Sequence, residues 1–217
     1  MKLANRNLLP VLTFLLLIQL AAAQVPKFSP FTADMQMTST RPGMGSGETS
    51  GQIFVGSGHM RMNMSAQGHE TAMITDFAAK TVDILMVQQK MYIEQKAGER
   101  GGRGPGSNPT QDLHPYDPEN PCSNQPDVQC KKIGVETVSG RTCDHWEITN
   151  TKDRKVANVW VDQTLHFPIK MTSEDSSVLL SNIKEGEPDA SLFQVPADFH
   201  KLDIGAMQQG MGRPPSN

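Results

Sequence analysis

Beyond residue 23 the sequence has no apolar run that approaches the roughly 20 residues needed to cross a bilayer as a helix. It also lacks an excess of positive charge, because 20 Lys and Arg stand against 23 Asp and Glu and give a formal net charge of -3. Surfaces that bind nucleic acid are usually basic. We therefore expect no nucleic-acid partner and no transmembrane anchor in this part of the chain.

Catalytic motifs are also missing, since no nucleophile lies in a recognisable elbow or triad pattern. Asp144 and His145 are adjacent, but neighbouring residues on a strand point to opposite faces and cannot orient each other. We place His145 on the exposed face of its strand. The spacing of cysteine and histidine does not match a zinc site. The sequence therefore predicts a protein that is not an enzyme and has no cofactor and no metal centre.

The N-terminus, by contrast, has the features of a signal peptide. Lys2 and Arg6 precede an apolar run over residues 8–20, and alanines at positions 21–23 are small enough for signal peptidase. No cysteine follows this run directly, which argues against a bacterial lipoprotein. We predict cleavage near Ala23 and a periplasmic or secreted protein.

The chain has three cysteines, Cys122, Cys130 and Cys143. In an oxidising compartment, the simplest arrangement is one disulfide and one free thiol. A hairpin predicted at Ser139-Gly140 sets Cys130 opposite Thr149 and Cys143 opposite Glu136, too far apart for a bridge. We therefore predict a disulfide between Cys122 and Cys130.

Apolar residues alternate with polar ones from Phe31 onward, and turn-forming residues separate the short runs. This pattern predicts an all-β fold with minor helix, arranged as an antiparallel meander. One hairpin is predicted to set Ile84 opposite Ile93 and Met86 opposite Met91.

These features divide the chain into three parts. Residues 1–23 are the predicted signal peptide, residues 24–204 a single curved β-sheet domain, and residues 205–217 a disordered tail. A glycine-rich stretch at about residues 96–120 has too few apolar side chains to offset the entropy of ordering, so we predict a flexible loop there.

Methionine is abundant, with 13 residues in the chain. Met60, Met62 and Met64 alternate along one predicted strand and therefore share a face. We predict a cavity for an apolar ligand, because the unbranched methionine side chain repacks around varied shapes. Its candidate residues are Met60, Met62, Met64, Ile84, Met86, Met91 and Ile93. An ordinary packed core accounts for the same pattern, and thioethers also suit Cu(I) or Ag(I).

Seven stretches carry a resemblance to known proteins: FTADM (31–35), GHMRM (58–62), CKKIG (130–134), GRTCDHWE (140–147), VWVD (159–162), FPIK (167–170) and LFQVP (192–196). They resemble uncharacterised exported proteins of the superfamily that includes the periplasmic lipoprotein carrier and the outer-membrane lipoprotein acceptor (LolA/LolB-like). The resemblance implies a curved antiparallel sheet, an unclosed half-barrel whose concave face receives acyl chains beneath covering helices. This sequence has little helix for such a cover, so no binding residue of the carrier is transferred to a position here.

We therefore predict an exported carrier or binding protein of the bacterial envelope, with an apolar ligand or a lipoprotein acyl chain as its partner. One alternative is a structural or partner-binding envelope protein that has a packed core and uses an edge strand or the long loop. A further alternative is periplasmic binding of Cu(I) or Ag(I) through methionines.

Overall fold

The structure is a computed structural model that describes residues 28–40, 47–96, 120–123 and 127–203. The predicted signal peptide, the predicted tail and nearly all of the predicted flexible loop lie outside these residues.

The described residues form twelve strands and one short 3-10 helix. The strands are β1 (Phe31–Ser39), β2 (Gly47–Gly56), β3 (His59–Ala66), β4 (His69–Asp76), β5 (Thr81–Met86), β6 (Met91–Lys96), β7 (Val128–Val138), β8 (Arg141–Asn150), β9 (Val156–Asp162), β10 (Pro168–Ser173), β11 (Ser176–Glu185) and β12 (His200–Lys201). The 3-10 helix spans Ala190–Phe193. The predicted all-β fold is confirmed.

All twelve strands belong to one sheet in the order β12-β6-β5-β4-β3-β2-β1-β11-β10-β9-β8-β7. Each neighbouring pair is antiparallel except β12 with β6, which is parallel. The sheet consists of two meanders, β1 to β6 and β7 to β11, joined where β1 pairs with β11. The sheet is open, because its outermost strands in the described residues, β7 and β12, do not pair with each other.

Local sequence explains the tight turns. Ser139 and Gly140 both have positive φ, 49° and 76°, which suits the two-residue turn between β7 and β8. Between β5 and β6 the chain turns over residues 87–90 and sets Met86 opposite Met91, as predicted.

One prediction for the second meander needs correction. The register of β7 with β8 shifts between Lys132 and Gly134, so that Cys130 lies opposite Ile148 rather than Thr149. An extra residue on β7 forms a bulge, which the alternation of residue types did not indicate. The structure joins Cys130 to Cys122 by a disulfide with a Cα–Cα distance of 5.7 Å, the pairing expected from the sequence.

The sheet has two differently packed halves. We call β1, β2 and β7 to β11 the closed half, because residues from all seven strands or the turns between them meet in one buried cluster. Its buried members are Phe31, Ala33, Met35, Ile53, Val55, Val138, Cys143, Trp160, Leu165, Phe167, Ile169 and Leu180. Strands that lie far apart in the sheet order share this core, so the sheet is curved here.

We call β3 to β6 together with β12 the wing. A second, smaller cluster of Ala72, Ile74 and Leu85 lies on one of its faces. The chain after β11 packs against that face with Phe193, Val195 and Phe199. The wing is thus covered on one side by the C-terminal segment of the domain.

Candidate functional site: the methionine face

The register of the wing brings the predicted cavity residues to the face opposite this C-terminal segment. Residues directly opposite each other on neighbouring strands share a face. Met62 lies opposite Met73, Met73 opposite Ile84, and Ile84 opposite Ile93, so one row crosses β3 to β6. We define the methionine face as Met60, Met62, Met64, Met73, Ile84, Met86, Met91 and Ile93. It contains all seven predicted residues together with Met73.

The methionine face is half-buried along its whole length. Met60, Met62 and Met64 pack against the buried core of the closed half. The remaining members, Met73, Ile84, Met86, Met91 and Ile93, join neither buried cluster of the described residues. The apolar surface therefore continues from the core onto the wing and becomes partly exposed there.

Residue composition changes at the same boundary. The twelve buried residues of the core include one methionine, Met35. The large apolar residues on this face of β3 to β6 are six methionines, two isoleucines and Val82. Methionine is thus concentrated at the margin of this core and on the partly buried surface beyond it.

A cavity of about 660 Å³ lies at β1 to β4 and is lined mainly, but not only, by residues of the face opposite the methionine face. Polar side chains dominate its lining: Asp34, Gln36, Ser50, Gln52, Arg61, Asn63, Ser65, Glu70, Thr71 and Ser181. Met64 is the one predicted cavity residue that also borders it. Sequence analysis missed this cavity, because polar residues alternating along a strand indicate a solvated face.

Arg61 is the positively charged side chain among the residues that line this cavity. Its Nε donates to Asn63 Oδ1 at 2.7 Å and its Nη1 donates to the carbonyl oxygen of Leu192 at 2.9 Å. Partial burial lowers the pKa of Arg61. The second contact ties β3 to the 3-10 helix, so Arg61 helps to hold the C-terminal segment on the wing.

His145 belongs to a polar and aromatic cluster on β7 to β10. The prediction that it is exposed is wrong: its side chain is 12% exposed and stacks on Trp160 with ring centroids 4.3 Å apart. Its ring nitrogens lie 2.8 Å from Glu136 Oε1 and 2.9 Å from Asn158 Oδ1. Hydrogen bonds from Trp160 and His145 lower the pKa of Glu136. The polar groups of these side chains hydrogen-bond to one another, which is typical of a structural cluster.

Asp144 points away from this cluster and binds Lys132 at 2.7 Å and Gln163 at 2.7 Å. Asp144 and His145 therefore have separate partners.

Cys143 is fully buried, and burial raises the pKa of its thiol to about 11. Within the described ranges, no group of three or more His, Cys, Asp or Glu residues is placed to hold a metal ion. No helix there is long and apolar enough to cross a membrane.

Solved structures share this fold at low sequence identity. An uncharacterised conserved protein from Thermus thermophilus is 10% identical, with a TM-score of 0.53 over 81% of this chain and 91% of its own. A chain in the MucA/MucB complex of Pseudomonas aeruginosa is 13% identical, with a TM-score of 0.53 over 84% of this chain. This protein spans 61% of that longer chain.

A LolA superfamily protein from Nitrosomonas europaea is a further match, 12% identical, with a TM-score of 0.39 over 80% of this chain and 94% of its own. At such identities the likeness is one of fold. The described sheet is open and almost entirely antiparallel, the architecture that the sequence predicted.

The model of a family described as "Domain of unknown function (DUF4412)" matches residues 31–166, and the chain belongs to that family. The matched segment runs from the start of β1 to the turn after β9 and includes the whole methionine face. A comparison with curated proteins gave no match.

Proposed function

We propose that this protein is an exported, non-enzymatic binding protein of the bacterial envelope that holds an apolar ligand, a lipid acyl chain, on its methionine face. One observation carries the proposal. The wing is covered by the C-terminal segment on one side, whereas on the other side five large apolar residues are only partly buried and join neither buried cluster of the described residues.

The energetics suit an acyl chain. Burial of apolar surface stabilises by about 0.8 kcal/mol per methylene, so about ten methylenes contribute roughly 8 kcal/mol before the entropic costs of association. Methionine side chains adapt to a ligand without fixed shape. The continuity of the methionine face with the core of the closed half gives an extended chain a long apolar path.

Two further lines support the proposal. The predicted signal peptide favours export, and the sequence motifs resemble those of a superfamily whose members receive acyl chains on the inner face of a curved sheet. The side chains of the Glu136, His145 and Trp160 cluster are committed to one another, which favours binding over catalysis as the function.

The proposal is tested with cis-parinaric acid, a fatty acid that fluoresces when it is transferred from water to an apolar site. We expect saturable binding to the purified protein and at least tenfold weaker binding to the Ile84→Ser/Ile93→Ser variant. Ile133→Ser/Val135→Ser is the matched control, because it removes two exposed apolar residues from the other end of the sheet. Absence of saturable binding, or an equal loss in the control, contradicts the proposal.

A second candidate is the binding of a partner protein along β7. Among the described residues this eleven-residue strand is an edge of the sheet, and its Ile133 and Val135 are 45% and 57% exposed. An exposed edge strand with apolar side chains is a surface to which an extended segment of another protein adds. The similarity to a chain solved as a MucA/MucB complex favours the same possibility.

The same two variants separate the candidates. If β7 is the functional surface, a protein partner recovered from the envelope binds the wild type and the Ile84→Ser/Ile93→Ser variant equally. It is then lost only from Ile133→Ser/Val135→Ser. The opposite pattern places the function on the wing.

A further inference from the structure

Three thioethers are brought together within the methionine face. Met62 on β3 lies directly opposite Met73 on β4, and Met64 lies opposite Thr71, two residues from Met73. Met64 is therefore the diagonal neighbour of Met73 and the next residue after Met62 on the same face. Directly opposed residues have Cβ atoms about 5 Å apart, and diagonal or alternate neighbours about 7 Å. The three residues form a compact triangle that spans two strands.

We propose that Met62, Met64 and Met73 form a binding site for a soft monovalent cation, Cu(I) or Ag(I). Thioether sulfur is a soft, neutral ligand that favours Cu(I) and binds hard oxygen-seeking cations poorly. The methionine side chain is unbranched and has three rotatable bonds, so sulfurs from this triangle reach a common point above the sheet. The inference does not depend on the binding of an acyl chain.

The placement of methionine supports a role for sulfur itself. A purely apolar surface is served equally by leucine, isoleucine and valine, which together with phenylalanine make up most of the buried core of the closed half. On the wing, six methionines replace them at partly buried positions. A cation needs access from solvent, which partly buried thioethers allow and fully buried ones do not.

His59 and Cys143, two of the other soft or imidazole ligands among the described residues, are engaged elsewhere. His59 points to the opposite face, where it stacks on Phe193 at 5.6 Å and lies 3.6 Å from Asp76. Cys143 is buried in the core of the closed half. His69 shares the triangle's face of β4, because it lies two residues before Thr71, so it is the imidazole nearest to the triangle. The three thioethers themselves bind no proton near neutral pH.

The test is a titration of the purified protein with Ag(I), which needs no reductant, followed by native mass spectrometry and calorimetry. We expect one Ag(I) per protein and an affinity that is unchanged between about pH 5 and pH 7.5, because thioethers need not lose a proton to bind. A Met62→Leu/Met64→Leu/Met73→Leu variant should bind Ag(I) at least thirtyfold more weakly, since leucine keeps the volume and removes the sulfur.

Two controls make the result decisive. Met35→Leu/Met37→Leu/Met171→Leu removes the same number of sulfurs outside the triangle and should retain the site. Cys143→Ser removes the free thiol and should also retain it. Equal affinity of the wild type and the triangle variant, or loss of binding in Cys143→Ser, overturns the inference.

Folding and acyl-chain binding are checked on the same variants. Leucine preserves the apolar surface, so the triangle variant should bind cis-parinaric acid within about threefold of the wild type. Loss of Ag(I) binding in the triangle variant therefore tests the cation site without testing the proposed binding of an acyl chain.

Discussion

The side-chain hydroxyl of Ser139 donates a hydrogen bond of 2.8 Å to the carbonyl oxygen of Leu180. Ser139 lies in the turn between β7 and β8 and Leu180 lies in β11, with β9 and β10 between β8 and β11. Neighbouring strands are about 4.8 Å apart, so in a flat sheet β8 and β11 would be separated by about 14 Å. The contact requires the sheet to curl over its closed half. The methionine face is continuous with the core enclosed by this curl.

Docking of the C-terminal segment on the wing depends on a glycine. A Cβ atom at Gly56 would lie 2.7 Å from the ring of Phe193 and 2.8 Å from Glu187 Oε1. Glu187 also accepts hydrogen bonds from the backbone nitrogen and hydroxyl of Ser57. We expect Gly56→Ala to displace this segment and lower the free energy of unfolding by about 2 kcal/mol, measured by urea denaturation.

Gly134→Ala is the matched control for this substitution. Gly134 also lies in a strand, but no atom is within 4 Å of a Cβ added there. Its free energy of unfolding should remain within about 0.5 kcal/mol of the wild type. Equal effects of the two substitutions would show that Gly56 is not a docking position.

Asp162 makes stability sensitive to acid. Burial opposes ionisation of this residue, but hydrogen bonds from Arg141 and from the backbone amides of Leu165 and Thr164 outweigh it, so its pKa is lowered. Because the pKa of Asp162 is lower in the folded protein than the ordinary carboxyl pKa of 3.8, the ionised residue stabilises the fold at pH values above 3.8. This stabilisation is lost as the pH falls through the folded-state pKa. Asp162→Ala should lower the free energy of unfolding at pH 7 by about 3 kcal/mol, because Arg141 and two amides lose their acceptor.

The acid dependence is isolated by Asp162→Asn, which keeps the side-chain shape and removes the charge. The difference in unfolding free energy between the wild type and Asp162→Asn should be constant near neutral pH and shrink below about pH 3.8. Asp127→Asn, which removes a carboxylate from an exposed pair with Lys152, should leave stability nearly unchanged. A difference that persists undiminished at low pH would contradict this account.

Cys143 should be chemically inert in the folded protein. Its side chain is fully buried, and burial raises its pKa to about 11, with the charge of Asp162 acting in the same direction. At about pH 8, roughly one thiol in a thousand is then the reactive thiolate. Iodoacetamide should label this residue only after unfolding in concentrated guanidinium chloride, as read by mass spectrometry. Rapid labelling of the native protein, absent from Cys143→Ser, would show that the thiol is accessible.

Local features of the fold were predicted most accurately from the sequence. Alternation of apolar residues and turn chemistry predicted the pairing of Ile84 with Ile93, and hairpin geometry favoured the disulfide between Cys122 and Cys130. Such features depend on a few neighbouring residues. The resemblance of several short motifs supplied the curved open sheet, which alternation alone does not specify because it is the same in flat and curled sheets.

Features that depend on distant residues were missed. The pairing of β1 with β11 joins residues more than 135 positions apart and is not indicated by any local pattern. The stacking of His145 on Trp160 follows from the register of β8 with β9, and the bulge near Gly134 is invisible in the alternation of residue types. The polar cavity around Arg61 was missed for the same reason, since Ser181 on β11 lines it together with residues of β1 to β4.

The most direct test of the central claim is native mass spectrometry of the protein gently purified from its own envelope, compared with the Ile84→Ser/Ile93→Ser variant. We predict that the wild type carries an additional mass that fragments to a lipid or an acyl chain, and that the variant carries at least tenfold less of it. A wild-type protein of bare mass, or equal lipid in the variant, would contradict the assignment of ligand binding to the methionine face.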